Sequence, residues 1–215
     1  MLLDEAGGGP ALPEALPPAR GTDATDCMLV AEDLGVIPPF VHDQLKASGI
    51  PGMKILRWQK RGEAFIPPRE FSNLSLATTG THDTSALASW WGEISDEERS
   101  HFLSSFGKGY SLDALSPFSD EIHRLILSGL MASGSAIVML PIQDILGDTH
   151  QINFPGTISS QNWRYRIPEN IEAFSTHPRY KDKINFLKSV IEKSGRSRLH
   201  HEPVTLRRIT NAVPR

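Results

Sequence analysis

Four short apolar runs constrain this chain more than anything else in it: Cys27-Met28-Leu29-Val30-Ala31, then residues 53–58, 74–79 and 136–140. The first is continuous, the pattern of a strand covered on both faces in a parallel sheet, and the other three read as further strands. Helical patterns separate or follow them. Pro38 and Pro39 stand where proline can start a helix, and Phe40, Val41 and Leu45 recur at helical spacing up to Gly49, a natural C-cap. Thr84 offers an N-cap for a helix over 84–91, and Ser95 with Glu98 has the spacing of a capping box. Residues 120–131 carry Ile122, Leu125, Ile126 and Leu130 as one apolar stripe ending near Gly134, and 182–192 carry Ile184, Leu187 and Ile191. The segment between the second and third runs is a proline-rich loop. Alternation of this kind predicts an α/β fold built on parallel strands.

The chain divides into a Gly-, Pro- and Ala-rich lead-in (1–26), whose four prolines, Pro10, Pro13, Pro17 and Pro18, oppose a continuous helix, a folded body (27–195) and a basic C-terminal tail (196–215). Acids and bases are interspersed at a net charge of −3, so no large basic face for nucleic acid is expected, and the tail reads as solvated. Cys27 is the single cysteine, which excludes an internal disulfide and fits a reducing, cytoplasmic compartment. No run approaches the ~18 apolar residues of a membrane span, and no basic region followed by an apolar stretch opens the chain.

Strands of one parallel sheet deliver their last residues to the same rim, which predicts that Glu32, Trp58, Asp83 and Asp144 converge there. Converging carboxylates suit the breaking of glycosidic bonds: one, protonated, gives its proton to the leaving oxygen, and others attack or stabilise an oxocarbenium-like centre. Repulsion between like charges raises the pKa of one member and so assists. His82, beside Asp83, adds a donor for a sugar hydroxyl or for orienting the carboxylate. The plainer readings are a helix cap or solvated loop end for Glu32-Asp33, and a metal-ligand pair for His82-Asp83. The other histidines, among them His42, His101, His123, His150 and His177, make no His-x-x-x-His pattern, so neither metal nor cofactor is expected. Trp90-Trp91 reads as helix packing. Trp163, between Asn162 and Arg164, is either a stacking platform for a sugar face or a cover for the core.

Taken in order, Ala31-Glu32-Asp33-Leu34-Gly35-Val36-Ile37, Gly49-Ile50-Pro51-Gly52-Met53-Lys54, Thr79-Gly80-Thr81-His82-Asp83, and Phe154-Pro155-Gly156-Thr157 with Asn162-Trp163-Arg164 resemble the C-terminal part of the 4-α-glucanotransferases, the amylomaltase or disproportionating enzymes of the α-amylase clan. The resemblance covers residues 29–168 and continues more weakly through the last helix. It implies a (β/α)₈ TIM barrel, of which this chain holds about strands five to eight, since a whole barrel takes about 250 residues. It also implies Glu32 as acid/base, Asp83 as transition-state stabiliser, His82 as a contact to the donor sugar, and Asn162 and Trp163 near the substrate groove.

The family's nucleophile sits in an Arg-x-Asp-His-type motif on strand four, and none occurs between Met1 and Asp26. The expectation is therefore a 4-α-glucanotransferase part, inactive alone, that partners an N-terminal half and acts on maltodextrin or another α-1,4-glucan with retention. The alternatives are a non-catalytic carbohydrate-binding remnant and a part of an α-glucan hydrolase.

Overall fold

A computed structural model describes residues 29–106 and 116–196. In chain order these hold α1 (Pro39–Ala47), β1 (Gly52–Ile55), β2 (Lys60–Arg61), β3 (Ala64–Phe65), β4 (Ser75–Thr78), α2 (Leu87–Glu93), α3 (Asp96–Phe106), α4 (Asp120–Met131), β5 (Ile137–Val138), α5 (Ile142–Leu146) and α6 (Pro178–Lys193). A parallel sheet in the order β1-β4-β5 pairs Gly52 with Ser75, Ile55 with Thr78 and Leu76 with Ile137. β2 and β3 form a separate antiparallel hairpin within the proline-rich segment, turning at Gly62 with φ 61°.

Three of the four apolar runs enter the parallel sheet; the first does not. Cys27 and Met28 lie outside the described residues, and residues 29–34 are not strand. Leu29 is 64% exposed, and the Ala31 N–H donates to the Pro51 carbonyl at 2.8 Å. The Met53 N–H, which would continue a parallel ladder to the Ala31 carbonyl, donates instead to the Asp33 carboxylate at 2.6 Å, so this contact does not grow into a ladder. The second run also stops early. After Ile55 the chain tightens into a 3₁₀ turn, Leu56–Trp58, which buries Leu56 and Arg57 and leaves Trp58 outward.

Helices α2, α3 and α4 enclose the core together with the hairpin. Phe102 meets Phe65, Trp90 and Trp91 edge-on at 5.1, 5.6 and 5.7 Å, the arrangement aromatic quadrupoles favour. Trp91 is fully buried, and its indole N–H reaches the Ser116 carbonyl at 3.1 Å. The apolar stripe of α4 faces this cluster, with Ile122, Ile126 and Leu130 fully buried. The Ser95 hydroxyl accepts the Glu98 N–H as the capping-box spacing predicts, but the Glu98 carboxylate turns to Lys60 at 2.6 Å.

Three helix or tail boundaries differ from their sequence expectation. α2 starts at Leu87 rather than Thr84, because the Thr84 hydroxyl is used in a turn with Thr81. α6 starts earlier than expected, at Pro178, which as the first helical residue has no N–H to leave unpaired; Tyr180 and Val190 are its buried members. Arg196 is not part of a solvated tail. Its guanidinium donates to the carbonyls of Met131, Ala136, Ser133 and Ser135 at 2.7, 3.1, 2.9 and 2.8 Å, clasping the turn between α4 and β5. Among the described residues no helix is long and apolar enough to cross a membrane.

Candidate functional site

A cleft of about 340 Å³ runs along one face of the parallel sheet to the C-terminal ends of β4 and β5. Met53, Leu76 and Thr78 floor it, and Glu32, His82 and Met139 stand on its edges. Trp58 and Asp83, both expected on this rim, do not line the cleft: the strand carrying Trp58 ends three residues earlier, and the Asp83 carboxylate turns to Asn153 beside His82.

Glu32 is held there by its neighbour. The Asp33 side chain is 6% exposed; its Oδ1 accepts the Met53 N–H at 2.6 Å, and its Oδ2 lies 3.3 Å from His42 Nδ1. Gly52 permits this approach, since a Cβ there would stand 2.8 Å from Asp33 Cγ. With Asp33 fixed against β1, Glu32 is left exposed on the cleft. The acidic pair is thus divided between an anchor and a solvent-facing acid.

His82 and Asp83 sit on a tight turn after β4. Thr84 Oγ1 accepts the Thr81 N–H and donates to the Thr81 carbonyl, both at 3.0 Å, and Thr81 Oγ1 accepts the Asp83 N–H at 3.2 Å. Gly80 lies so close to Thr84 and Arg57 that a Cβ would meet their Oγ1 and Nη2 at 2.5 and 3.1 Å. Asp83 Oδ1 lies 3.3 Å from His82 Nε2 and accepts Asn153 Nδ2 at 2.6 Å, while Gln151 Nε2 donates to the Asp83 carbonyl at 3.2 Å.

These amides dock the following loop on the His82-Asp83 turn. Trp163 comes over His82, ring centroids 4.9 Å apart, and the residue is 59% exposed. Its backbone is left-handed, φ 61°, a conformation costly for a bulky residue and kept here by the Trp163 N–H bond to Ile152 O at 2.9 Å. Asn162 turns inward on the loop: Oδ1 accepts the Phe154 N–H at 3.1 Å and Nδ2 donates to the Thr157 carbonyl at 3.1 Å.

Two groups carry most of the cleft's construction: Arg57, which sequence reading missed, and Asp144, which lines the cleft as expected but as a buried, hydrogen-bonded acid. Arg57, a charge inside an apolar run, is 7% exposed; it donates from Nε to Thr79 O at 3.3 Å, from Nη1 to Ser85 Oγ at 3.2 Å and from Nη2 to Ser85 O at 2.8 Å, and lies over the Trp90 ring. Burial pushes its pKa down, while Asp144 and Glu93 pull it back. Asp144 is not a free rim acid: at 2% exposure its Oδ1 accepts the Leu87 N–H at 2.7 Å, capping α2 from 57 residues away, and its Oδ2 accepts the Thr79 hydroxyl. Burial raises its pKa against the opposing effects of Leu87, Thr79 and Arg57. The Asp144 carbonyl in turn accepts from His123 Nε2 at 2.6 Å, and burial pushes the pKa of that imidazole down.

A profile of the family described as 4-alpha-glucanotransferase matches residues 14–172. A 4-alpha-glucanotransferase of Chlamydia trachomatis is 36% identical over 162 residues, covering 69% of this chain and 30% of its own length. The chloroplastic/amyloplastic 4-alpha-glucanotransferase of Solanum tuberosum is 32% identical over 146 residues, covering 66% and 24%. The fold is similar to that of an amylomaltase from Streptococcus agalactiae solved with acarbose, with TM-score 0.62 and 23% identity over 77% of this chain and 31% of that one. The chain thus spans about a third or less of the length of these relatives.

Proposed function

We take as premise that this chain belongs to the 4-alpha-glucanotransferase family, whose profile covers residues 14–172, and we propose that it supplies the acid/base side of a transferase that moves α-1,4-glucan segments between maltodextrins. The observation that carries the reading is the shared cleft: Glu32 and His82 line one hollow at the strand ends, with the Asp83 carboxylate 3.3 Å from the His82 ring. In this reading the segment at Glu32, β1, β4 and β5 correspond to barrel strands five to eight. The nucleophilic aspartate belongs to the part of the relatives' length that this chain does not span, an N-terminal half that completes the site.

The roles are those the family resemblance implies. Glu32, protonated, gives its proton to the glycosidic oxygen as the nucleophile attacks the anomeric carbon and the bond to the leaving chain breaks. Asp83, which accepts from Asn153 and lies beside His82, stabilises the positive charge on the ring, and His82 donates to a donor-sugar hydroxyl. The 4-hydroxyl of a second glucan then attacks the glycosyl-enzyme bond while Glu32 takes its proton, so configuration is retained. Trp163 stacks on a sugar face, and Asn162 keeps the loop that presents it. No cofactor is required, and the compartment is cytoplasmic.

The test is transfer from maltotriose. The purified chain alone releases neither glucose nor longer oligomers. Fused to the part of the Chlamydia trachomatis relative that it does not span, it yields both, and Glu32→Gln or Asp83→Asn abolishes them. Turnover by the unfused chain, or by a fusion lacking either carboxylate, overturns the assignment.

A further inference from the structure

Beside the cleft lies a second, larger hollow of about 610 Å³, within the size range of carbohydrate and other ligand sites. Phe154, Gln161, Arg164 and Tyr165 line it, aromatic rings interspersed with amide and guanidinium donors, and it shares Ser85 and His150 with the first. His150 is therefore the imidazole on the ridge between the two.

That imidazole is exposed yet fixed. Its side chain is 69% exposed, while its partner Asp148 is 14% exposed. Asp148 Oδ1 lies 2.7 Å from His150 Nδ1 and 2.7 Å from the Thr149 N–H, and Oδ2 accepts the Tyr165 hydroxyl at 3.0 Å. The carboxylate is itself anchored: Gly147, left-handed at φ 68°, ends α5 and lets the Asp148 N–H return to the Gln143 carbonyl at 2.8 Å. Burial opposes ionisation of Asp148, but the bonds from His150, Thr149 and Tyr165 outweigh it and hold its carboxyl below the usual range. An ionised carboxylate on Nδ1 fixes the tautomer with the proton there, so the neutral ring presents Nε2 outward as an acceptor. A fixed acceptor flanked by aromatic faces recognises a sugar hydroxyl, because little side-chain freedom remains to be lost on binding.

We propose that His150 is a glucan-contacting residue at the junction of the two hollows, accepting a hydrogen bond from a glucosyl hydroxyl through Nε2, and that a bound glucan continues past it from the first hollow into the second. The inference rests on the glucan reading of the first cleft. It is tested on the isotope-labelled full chain, with histidine ring resonances assigned through the backbone, titrated with maltoheptaose. The expected result is that the rings of His82 and His150 shift together along one saturation curve, with the Nδ1-protonated tautomer at His150. His150→Ala then weakens maltoheptaose about three- to tenfold, the worth of one neutral hydrogen bond, and His150→Gln, which keeps an acceptor, recovers part of the loss. A shift at His82 with none at His150 overturns this inference and leaves the first cleft as read. No shift at either overturns the glucan reading and this inference with it.

Discussion

Removing the Asp144 carboxylate tests whether the floor of the cleft is built as described. Asp144→Ala leaves two buried donors without an acceptor, the Leu87 N–H and the hydroxyl of Thr79, residues 1% and 0% exposed. Each orphaned group costs about 1–3 kcal/mol. Against this, the raised pKa of Asp144 means that its ionised form carries a burial penalty, which alanine removes. The net expectation is a loss of about 2–4 kcal/mol at pH 7. Asp144→Asn separates hydrogen bonding from charge: its carbonyl accepts from Leu87 and its amide donates to the Thr79 oxygen, so the loss is about 1 kcal/mol or less. Urea unfolding followed by fluorescence of the buried Trp90 and Trp91 reads the difference. With a slope of about 1–3 kcal/mol/M, the alanine midpoint falls by roughly 1–2 M and the asparagine midpoint by far less. Equal losses in the two variants would show that the charge facing Arg57, not the paired hydrogen bonds, is what the fold needs, and would refute the reasoning.

Three further outcomes are expected. The pKa of His123 is depressed, so its contribution to stability is present above the ordinary imidazole value of 6.5 and is lost as pH falls below it; His123→Gln, which keeps a donor to the Asp144 carbonyl, flattens the stability slope there by up to about 1.4 kcal/mol per pH unit, read by melting at stepped pH. Arg196→Ala releases four carbonyls of the α4–β5 turn and costs about 1–3 kcal/mol in urea unfolding, and Arg196→Lys recovers little because an ammonium lacks the planar fork. Gly52→Ala forces Asp33 off β1, costs about 1–3 kcal/mol, and displaces Glu32, so maltoheptaose affinity by calorimetry falls; unchanged affinity would show that Asp33 does not position Glu32.

The α4 stripe was legible residue by residue, since Ile122, Leu125, Ile126 and Leu130 are spaced at the helical period and all four are buried. The Ser95 cap and the three apolar runs that became strands were legible for the same reason: their signals lie within a few residues of one another. The ordered motifs also pointed to the family whose profile matches. The first apolar run misled because apolarity says that a segment suits a strand, not that a neighbour with a free N–H stands beside it. Arg57 was hidden inside a strand pattern.

Among the acids, the sequence alone determined where carboxylates occur along the chain, and tertiary structure decided what each one is for. Glu32 and Asp33 are chemically near-equal neighbours, yet contact with Met53 and the space left by Gly52 bury one and leave the other on the cleft. Asp144 follows its strand as a rim acid should, but Thr79 and Leu87, 65 and 57 residues away, turn it into a cap. Periodicity and capping are encoded by near neighbours, whereas burial, pKa and hydrogen-bond partners depend on groups that only the packed chain brings within 3 Å.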